Sequence, residues 1–259
     1  MKVVILCGGA GTRISGGDRT VKKEMVEIGG RPILWHIMKI FATYDHRDFI
    51  LPLGYRGDLI RRYFLDYEVM NRDLSFTLGQ STEPMFHDMN HERDWCITLV
   101  DTGLEANKGT RIKCVERYIT ASPFFVTYGD GVGDIDLNKL LDFHRQHGRL
   151  ATITGVRPYY QYGVMALAED ERVAGYQQYP RLDHWINAGF MVFEREVFDY
   201  LAEDNRVDLE SGALTRLATD GQLMMYRHTG FWQSMDTFKD ALTLNELWDG
   251  ESPPWKVWK

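Results

Sequence analysis

The chain opens on an unbroken apolar run, Val3-Val4-Ile5-Leu6-Cys7, that stops at Gly8-Gly9. Apolar residues without alternation predict a strand buried on both faces, the kind found inside a parallel sheet. A polar, glycine-containing stretch follows to about Lys23. From Pro32 to Phe41 the apolar side chains recur at helical spacing, with Pro32 suited to a first turn. Residues 48–53 read as the next strand and 59–65 as the next helix. Strand, helix, strand, helix is the opening of an open α/β sheet.

The middle of the chain is less regular. A short strand is predicted at 98–100, a helix over 109–118, and a buried strand at 124–128 that ends on Gly129-Asp130-Gly131. An amphipathic helix over 137–147 and a strand at 150–156 come next. From about Tyr162 the strands shorten, near 163–168, 173–176 and 188–193. Two helices near 196–202 and 213–218, a strand at 223–227 and a helix over 237–247 complete the chain, with Asp236 as the expected N-cap of that last helix. No internal repeat, low-complexity run or linker breaks the pattern.

Composition narrows the function. Of the 259 residues 26% are charged, with a formal net charge of -7, which excludes the broad positive surface of a general nucleic-acid binder. A small anionic ligand stays open, because a few local cations suffice to hold a phosphate. Cys7, Cys96 and Cys114 form no CxxC pair and no disulfide framework, so buried free thiols in a reducing compartment are expected. The first apolar run is too short for a signal peptide, and no stretch approaches a membrane span. A cytoplasmic location is expected.

The glycine turn after the first strand has the order of a phosphate-binding loop. It fits neither standard version: Gly11-Thr12-Arg13 lacks the Lys and Ser/Thr of a Walker A loop, and Ile14 stands where a dinucleotide fingerprint needs glycine. Arg13, Lys22 and Lys23 are nevertheless close enough in sequence to surround a triphosphate together with backbone N–H groups. Asp130, Asp136 and Asp236 are the acidic candidates. Of these, Asp130 lies between glycines after an apolar strand, and Asp236 follows an aromatic segment. Two such carboxylates brought together make an oxygen-ligand Mg²⁺ site.

Gly8-Gly9-Ala10-Gly11-Thr12-Arg13 and Lys23-Glu24-Met25-Val26-Glu27-Ile28-Gly29-Gly30-Arg31-Pro32 resemble the sugar-1-phosphate nucleotidyltransferase family, and within it the branch that uses CTP. The likeness continues through Val100-Asp101-Thr102-Gly103, Thr127-Tyr128-Gly129-Asp130-Gly131, Ile186-Asn187-Ala188-Gly189 and Gly230-Phe231-Trp232-Gln233-Ser234-Met235-Asp236. It implies a Rossmann-like mixed β-sheet flanked by helices, with a smaller mixed-sheet sugar-binding region. A single domain over 1–259 is expected, its nucleotide-binding half about 1–160 and its acceptor-binding half about 161–259. The implied reaction transfers CMP from CTP to a sugar-1-phosphate or related phosphate and releases pyrophosphate. Positioning and charge neutralisation then carry the catalysis.

The resemblance also assigns residues. Arg13, Lys23, Asp130 and Asp236 are the catalytic set, with Mg²⁺ on the two aspartates. Leu6, Gly8, Gly9, Gly11, Thr12, Arg13, Thr102, Gly103, Gly129 and Asp130 surround the nucleotide. Tyr128, Tyr162, Gly163, Tyr179, Asn187, Ala188 and Glu210 surround the acceptor. A homo-oligomer is implied, with CTP and a sugar phosphate as partners and neither nucleic acid nor membrane. Base identity rests on the resemblance alone.

Three departures stand out. Prolines that flank the family lysine are missing around Lys22-Lys23-Glu24, which leaves open whether Lys22 or Lys23 meets the phosphates. Gln178-Tyr179-Pro180 replaces Glu-Lys-Pro, so the cation that contacts the sugar phosphate is absent, and tyrosine supplies no ammonium. A nearby acidic position is Gly212. A different acceptor with a compensating Arg157, Arg181 or His184, weak use of glucose 1-phosphate, and a noncatalytic nucleotide- or sugar-phosphate-binding homologue are the three readings left open. Trp232, Trp248, Trp255 and Trp258 are expected in core or subunit packing. His87, Asp88, His91 and Glu92 hint at a metal cluster but are better read as a substrate-side loop.

Overall fold

A computed structural model describes residues 1–9, 22–79, 83–88, 92, 94–160, 162–181 and 183–258. Its principal strands are β1 (Lys2–Leu6), β2 (Asp48–Leu53), β3 (Cys96–Asp101), β4 (Phe124–Tyr128), β5 (Gly131–Gly133), β6 (Ala151–Val156), β7 (Val164–Leu167), β8 (Val173–Gln177), β9 (Ile186–Asn187), β10 (Met191–Phe193), β11 (Leu223–Arg227) and β12 (Trp232–Ser234). The principal helices are α1 (Ile33–Thr43), α2 (Gly57–Leu65), α3 (Lys108–Cys114), α4 (Leu137–His147) and α5 (Phe238–Trp248).

β1 lies between β2 and β4, parallel to both, and β3 extends the sheet beyond β2 in the same direction. The central position explains the unbroken apolar run. Val3, Ile5 and Cys7 face one layer, formed by α1, α4 and α5, while Val4 and Leu6 face the layer of α3 and the residues around Phe198, Leu209 and Leu217. On the other side of β4 the sheet turns mixed. β10 pairs antiparallel with β4, β6 pairs antiparallel with both β9 and β10, and β11 runs parallel to β6. The eight-stranded sheet therefore draws strands from both sides of residue 160.

Among the described residues four smaller two-stranded sheets accompany it, two of them made of two-residue strands, Glu27–Ile28 with Arg31–Pro32 and Leu74–Ser75 with Met85–Phe86. The β7–β8 hairpin is exposed along its whole length. β5 and β12 make the ribbon that matters most for the site. Gly131 pairs with Ser234, and the Met235 amide donates to the Asp130 carbonyl at 2.8 Å.

Several expectations are corrected. The expected helix over 109–118 divides into α3 and a 3-10 turn, Glu116–Tyr118. The one near 196–202 is a 3-10 segment, Arg195–Tyr200. Leu209–Leu214 is a π-helical turn that runs into a short α-helix, Thr215–Thr219. Gly212 suits that wide turn, since a Cβ there would lie 2.6 Å from the Val207 side chain. The N-cap of α5 is Thr237, not Asp236, and forms a capping box with Asp240. Asp136, by contrast, caps α4 through the Lys139 amide. Of the three thiols only Cys7 is buried, and Cys96 is exposed.

The tryptophans pack largely as expected. Trp35, Trp248, Trp255 and Trp258 enclose His36, with Trp248 edge-on to the imidazole at 4.7 Å between ring centres. Among the described residues no group of three or more His, Cys, Asp or Glu side chains gathers as a metal cluster. His87 instead contacts Ser75, and Glu92 bonds Lys39 and Tyr67; His91 lies outside the described residues. Among the described residues no helix is long and apolar enough to cross a membrane.

Candidate active site

A cavity of about 700 Å³ opens at the carboxyl ends of β1 and β4. That location follows from the topology, because the ends of parallel strands leave a crevice where loops turn away from the sheet. β1 delivers Leu6, Gly8 and Gly9 to one wall. β4 delivers Tyr128, Gly129 and Asp130, and the β5–β12 ribbon returns Ser234 and Asp236 beside them.

Lys23 sits between the two aspartates. Its Nζ lies 2.7 Å from Asp130 Oδ2 and 2.8 Å from Asp236 Oδ1. Burial works against the charge on Lys23, but Asp130 and Asp236 outweigh it, and the ammonium's pKa lies above its ordinary value. Two carboxylates that converge on one cation form a hard-oxygen donor set. A Mg²⁺ ion, which commonly takes one or two carboxylates together with substrate phosphates, fits such a set.

Lys22 points elsewhere. Its ammonium donates to the Gly9 carbonyl at 2.8 Å and pairs with Glu24 at 3.2 Å, and its side chain is fully buried. Burial pushes the Glu24 carboxyl up, and Lys22 opposes that shift. The pair ties the segment before Lys23 to the glycine turn at Gly9. Gly129 is required above it, since a Cβ there would lie 2.8 Å from Glu24 Cγ and from the Leu6 carbonyl.

Arg111 braces the same turn from the other side. Its buried guanidinium donates to the carbonyls of Gly8, Leu53, Gly103 and Leu104 and to the Thr102 hydroxyl. Thr102 and Gly103 are thereby tied to the glycine turn without lining the cavity themselves. Sequence reasoning missed Arg111. Its partners lie as far as 103 positions away, so no local pattern marked it.

The acceptor-side candidates divide. Tyr128, Asn187 and Glu210 come together: the Tyr128 hydroxyl donates to Glu210 at 2.7 Å and accepts from the Asn187 amide at 3.0 Å. Burial, followed by the charge of Glu210, pushes the Tyr128 phenol well above its ordinary pKa. The π-helical turn aims Glu210 into the cavity, a common use of such turns. Ala188 is buried, and its carbonyl accepts from the Trp232 indole at 3.0 Å, so Trp232 serves as a cavity wall. Tyr162, Gly163 and Tyr179 stand apart, at the ends of the exposed hairpin and off the cavity lining. Arg157 and Arg181 line a second cavity of about 360 Å³, which shares Trp232 and Ser234 with the first. Gly11, Thr12 and Arg13 lie outside the described residues.

The fold and the cavity together define an α/β chain of the nucleotidyltransferase type. It belongs to the nucleotidyl transferase family, whose model matches residues 2–249. Similar curated proteins include the probable glucose-1-phosphate cytidylyltransferase of Bacillus subtilis (strain 168), 42% identical over 258 residues, with 100% of both chains covered. The glucose-1-phosphate cytidylyltransferase of Salmonella typhimurium is 40% identical over 261 residues, again across 100% of both. Two solved structures share the fold. A putative glucose-1-phosphate thymidylyltransferase from Bacillus anthracis has a TM-score of 0.66 at 15% identity, over 95% of this chain and 94% of that one. HddC from Yersinia pseudotuberculosis, complexed with GMP-PN, has a TM-score of 0.64 at 21% identity, over 96% and 99%.

Proposed function

We propose that this protein is a cytidylyltransferase that moves CMP from CTP to a sugar-1-phosphate and releases pyrophosphate. The observation that carries the reading is the convergence of Asp130, Asp236 and Lys23 beside the Gly8–Gly9 turn. Full-length identity of 42% and 40% to curated proteins of that activity supports it.

An oxygen of the acceptor phosphate attacks the α-phosphorus of CTP in line. The bond from the α-phosphorus to the bridging oxygen breaks, and pyrophosphate leaves with that oxygen. The nucleophile is already anionic, so no general base is needed. Asp130 and Asp236 would hold Mg²⁺, which when bound offsets the charge of the α-phosphate. Lys23 neutralises phosphate charge at the same point. Backbone N–H groups of the glycine turn, with Arg13, take the leaving phosphates. Lys22, Glu24 and Arg111 position that turn without touching the reacting atoms. Tyr128, Asn187 and Glu210 read acceptor hydroxyls, with Tyr128 a permanent donor at neutral pH.

The test is pyrophosphate release from CTP, glucose 1-phosphate and Mg²⁺. Asp130→Asn is expected to lose at least about a hundredfold in kcat, the usual scale for one charge-stabilising group, and chelation should stop the reaction. Unchanged turnover in Asp130→Asn would overturn the site assignment. Absence of turnover with CTP in the wild type, across a panel of sugar and polyol phosphates, would overturn the activity.

A further inference from the structure

The acceptor arrives as a phosphate ester into a cavity rich in carboxylates: Glu24, Asp208 and Glu210 line it beside Asp130 and Asp236. Among such carboxylates, a cation with N–H donors to spare is the natural partner for that phosphate. Among the described residues the cations lining the cavity are Lys23, Lys108 and Arg111. Lys23 gives two of its three donors to Asp130 and Asp236, and its charge is already assigned to the nucleotide's α-phosphate. Arg111 commits its guanidinium to the carbonyls of Gly8, Leu53, Gly103 and Leu104 and to the Thr102 hydroxyl. Lys108 is different. It begins α3, its ammonium bonds Glu210, and it lies over the Tyr128 ring at 5.4 Å from the centroid. An ammonium has three donors, so a single carboxylate oxygen leaves two for a ligand.

The two arginines nominated from the sequence line not this cavity but the second, where Arg157 pairs with Asp183 and Arg181 donates to the Arg157 carbonyl. Tyr179 is 56% exposed and off the lining. Lys108 sits instead at the junction of the two halves of the site. Tyr128, beneath its ammonium, is the last residue of β4, and the turn that follows carries Asp130 into the same cavity.

We infer that Lys108 is the residue that recognises the acceptor's phosphate, in place of the lysine absent at position 179, and that Glu210 holds it there. This rests on the cytidylyltransferase reading. The chemical class it selects is a phosphate monoester whose hydroxyl-bearing body reaches Tyr128, Asn187 and Glu210.

The experiment compares wild type, Lys108→Met and Lys108→Arg in steady-state kinetics with CTP and glucose 1-phosphate, and in calorimetric binding of glucose 1-phosphate alone. Lys108→Met is expected to raise KM for glucose 1-phosphate about ten- to a hundredfold, the range for one charge-assisted hydrogen bond. KM for CTP should stay within twofold, and Lys108→Arg should recover most of the loss. A KM for glucose 1-phosphate that does not move, or both KM values rising together, overturns the assignment. If the wild type releases no pyrophosphate, the reading of the reaction has failed, and calorimetry decides Lys108 separately. Binding present in wild type and lost in Lys108→Met sustains it, whereas equal binding or none in both overturns it. The Lys108 side chain is 45% exposed, so its loss removes no core packing; Lys108→Gln, with matched melting curves, separates binding loss from unfolding.

Discussion

Lys22 and Lys23 are neighbours in the chain, yet their ammonium groups belong to different layers of the protein. Lys22 is buried against Gly9 and Glu24, whereas Lys23 reaches into the cavity between Asp130 and Asp236. The extended backbone at Lys22, with φ of -104° and ψ of 120°, precedes the 3-10 turn Lys23–Met25 and sends successive side chains in opposite directions. One lysine is thus structural and the other faces the ligand.

Lys22→Met should therefore cost stability. It leaves the Glu24 carboxylate buried without its partner, and such a break typically costs about 3 kcal/mol or more. Lys23→Met should shift the denaturation midpoint little in Mg²⁺ while lowering kcat at least about a hundredfold. Urea melts and pyrophosphate-release rates for the two variants check the division; an active Lys23→Met protein would reverse it.

Gly8 is specified by Arg111. A Cβ at position 8 would collide with the guanidinium, which could make room only by giving up its carbonyl partners. Gly8→Ala is expected to weaken CTP binding in calorimetry by at least about tenfold, one such charged hydrogen bond. Arg111→Lys should weaken CTP binding in the same assay, because an ammonium cannot reproduce the forked geometry.

Cap and carboxylate are separable at the start of α5. Thr237→Ala removes the side chain that accepts from the Asp240 amide and should cost about 1 kcal/mol. Its rate and its Mg²⁺ requirement should stay near wild type. Asp236→Asn should show the reverse, near-normal melting with a large loss of rate. Equal effects of both variants on rate would show that the cap, rather than the carboxylate, governs the site.

His36 predicts a pH dependence of stability. Trp255 Nε1, which can only donate, faces His36 Nδ1 at 3.4 Å, while His36 Nε2 lies 2.8 Å from the Ile28 carbonyl. The imidazole is therefore held neutral with its proton on Nε2, and burial lowers its pKa to about 4. The unfolded chain binds the proton first, below about pH 6.5. Stability contributed by neutral His36 is thus complete above pH 6.5 and is lost as pH falls toward 4, by up to about 3 kcal/mol. Urea midpoints at pH 7 and pH 5 should fall in that order, and His36→Gln should flatten the difference. An equal slope in the variant would assign the effect to other groups.

Most of the regular elements are legible in the order of the residues. The strand at 48–53, the strand at 124–128, the helix over 137–147 and the strand at 223–227 coincide with β2, β4, α4 and β11. Each is a run whose own periodicity reports its burial. The departures fall where the backbone leaves a regular period: the split after Cys114, the 3-10 segment Arg195–Tyr200 and the π turn Leu209–Leu214. A wide turn has no periodic signature, and Glu210 owes its inward aim to one.

By itself the sequence determined that β1 is a central parallel strand, that a glycine turn follows it, and that Asp130 ends a buried strand beside glycines. Those are local facts, written in runs of neighbouring residues. Tertiary structure alone decided which groups meet. Asp236 joined Asp130 because β12 pairs with β5, while Asp136, nearer in sequence, was spent on capping α4. Arg111 reached Gly8 across 103 positions, and Lys108 reached Glu210 across 102. Contacts at that separation depend on the path of the sheet rather than on any residue's neighbours. Tyr128, Asn187 and Glu210 were named from the sequence, but the Lys108–Glu210 contact appeared only once the chain was folded.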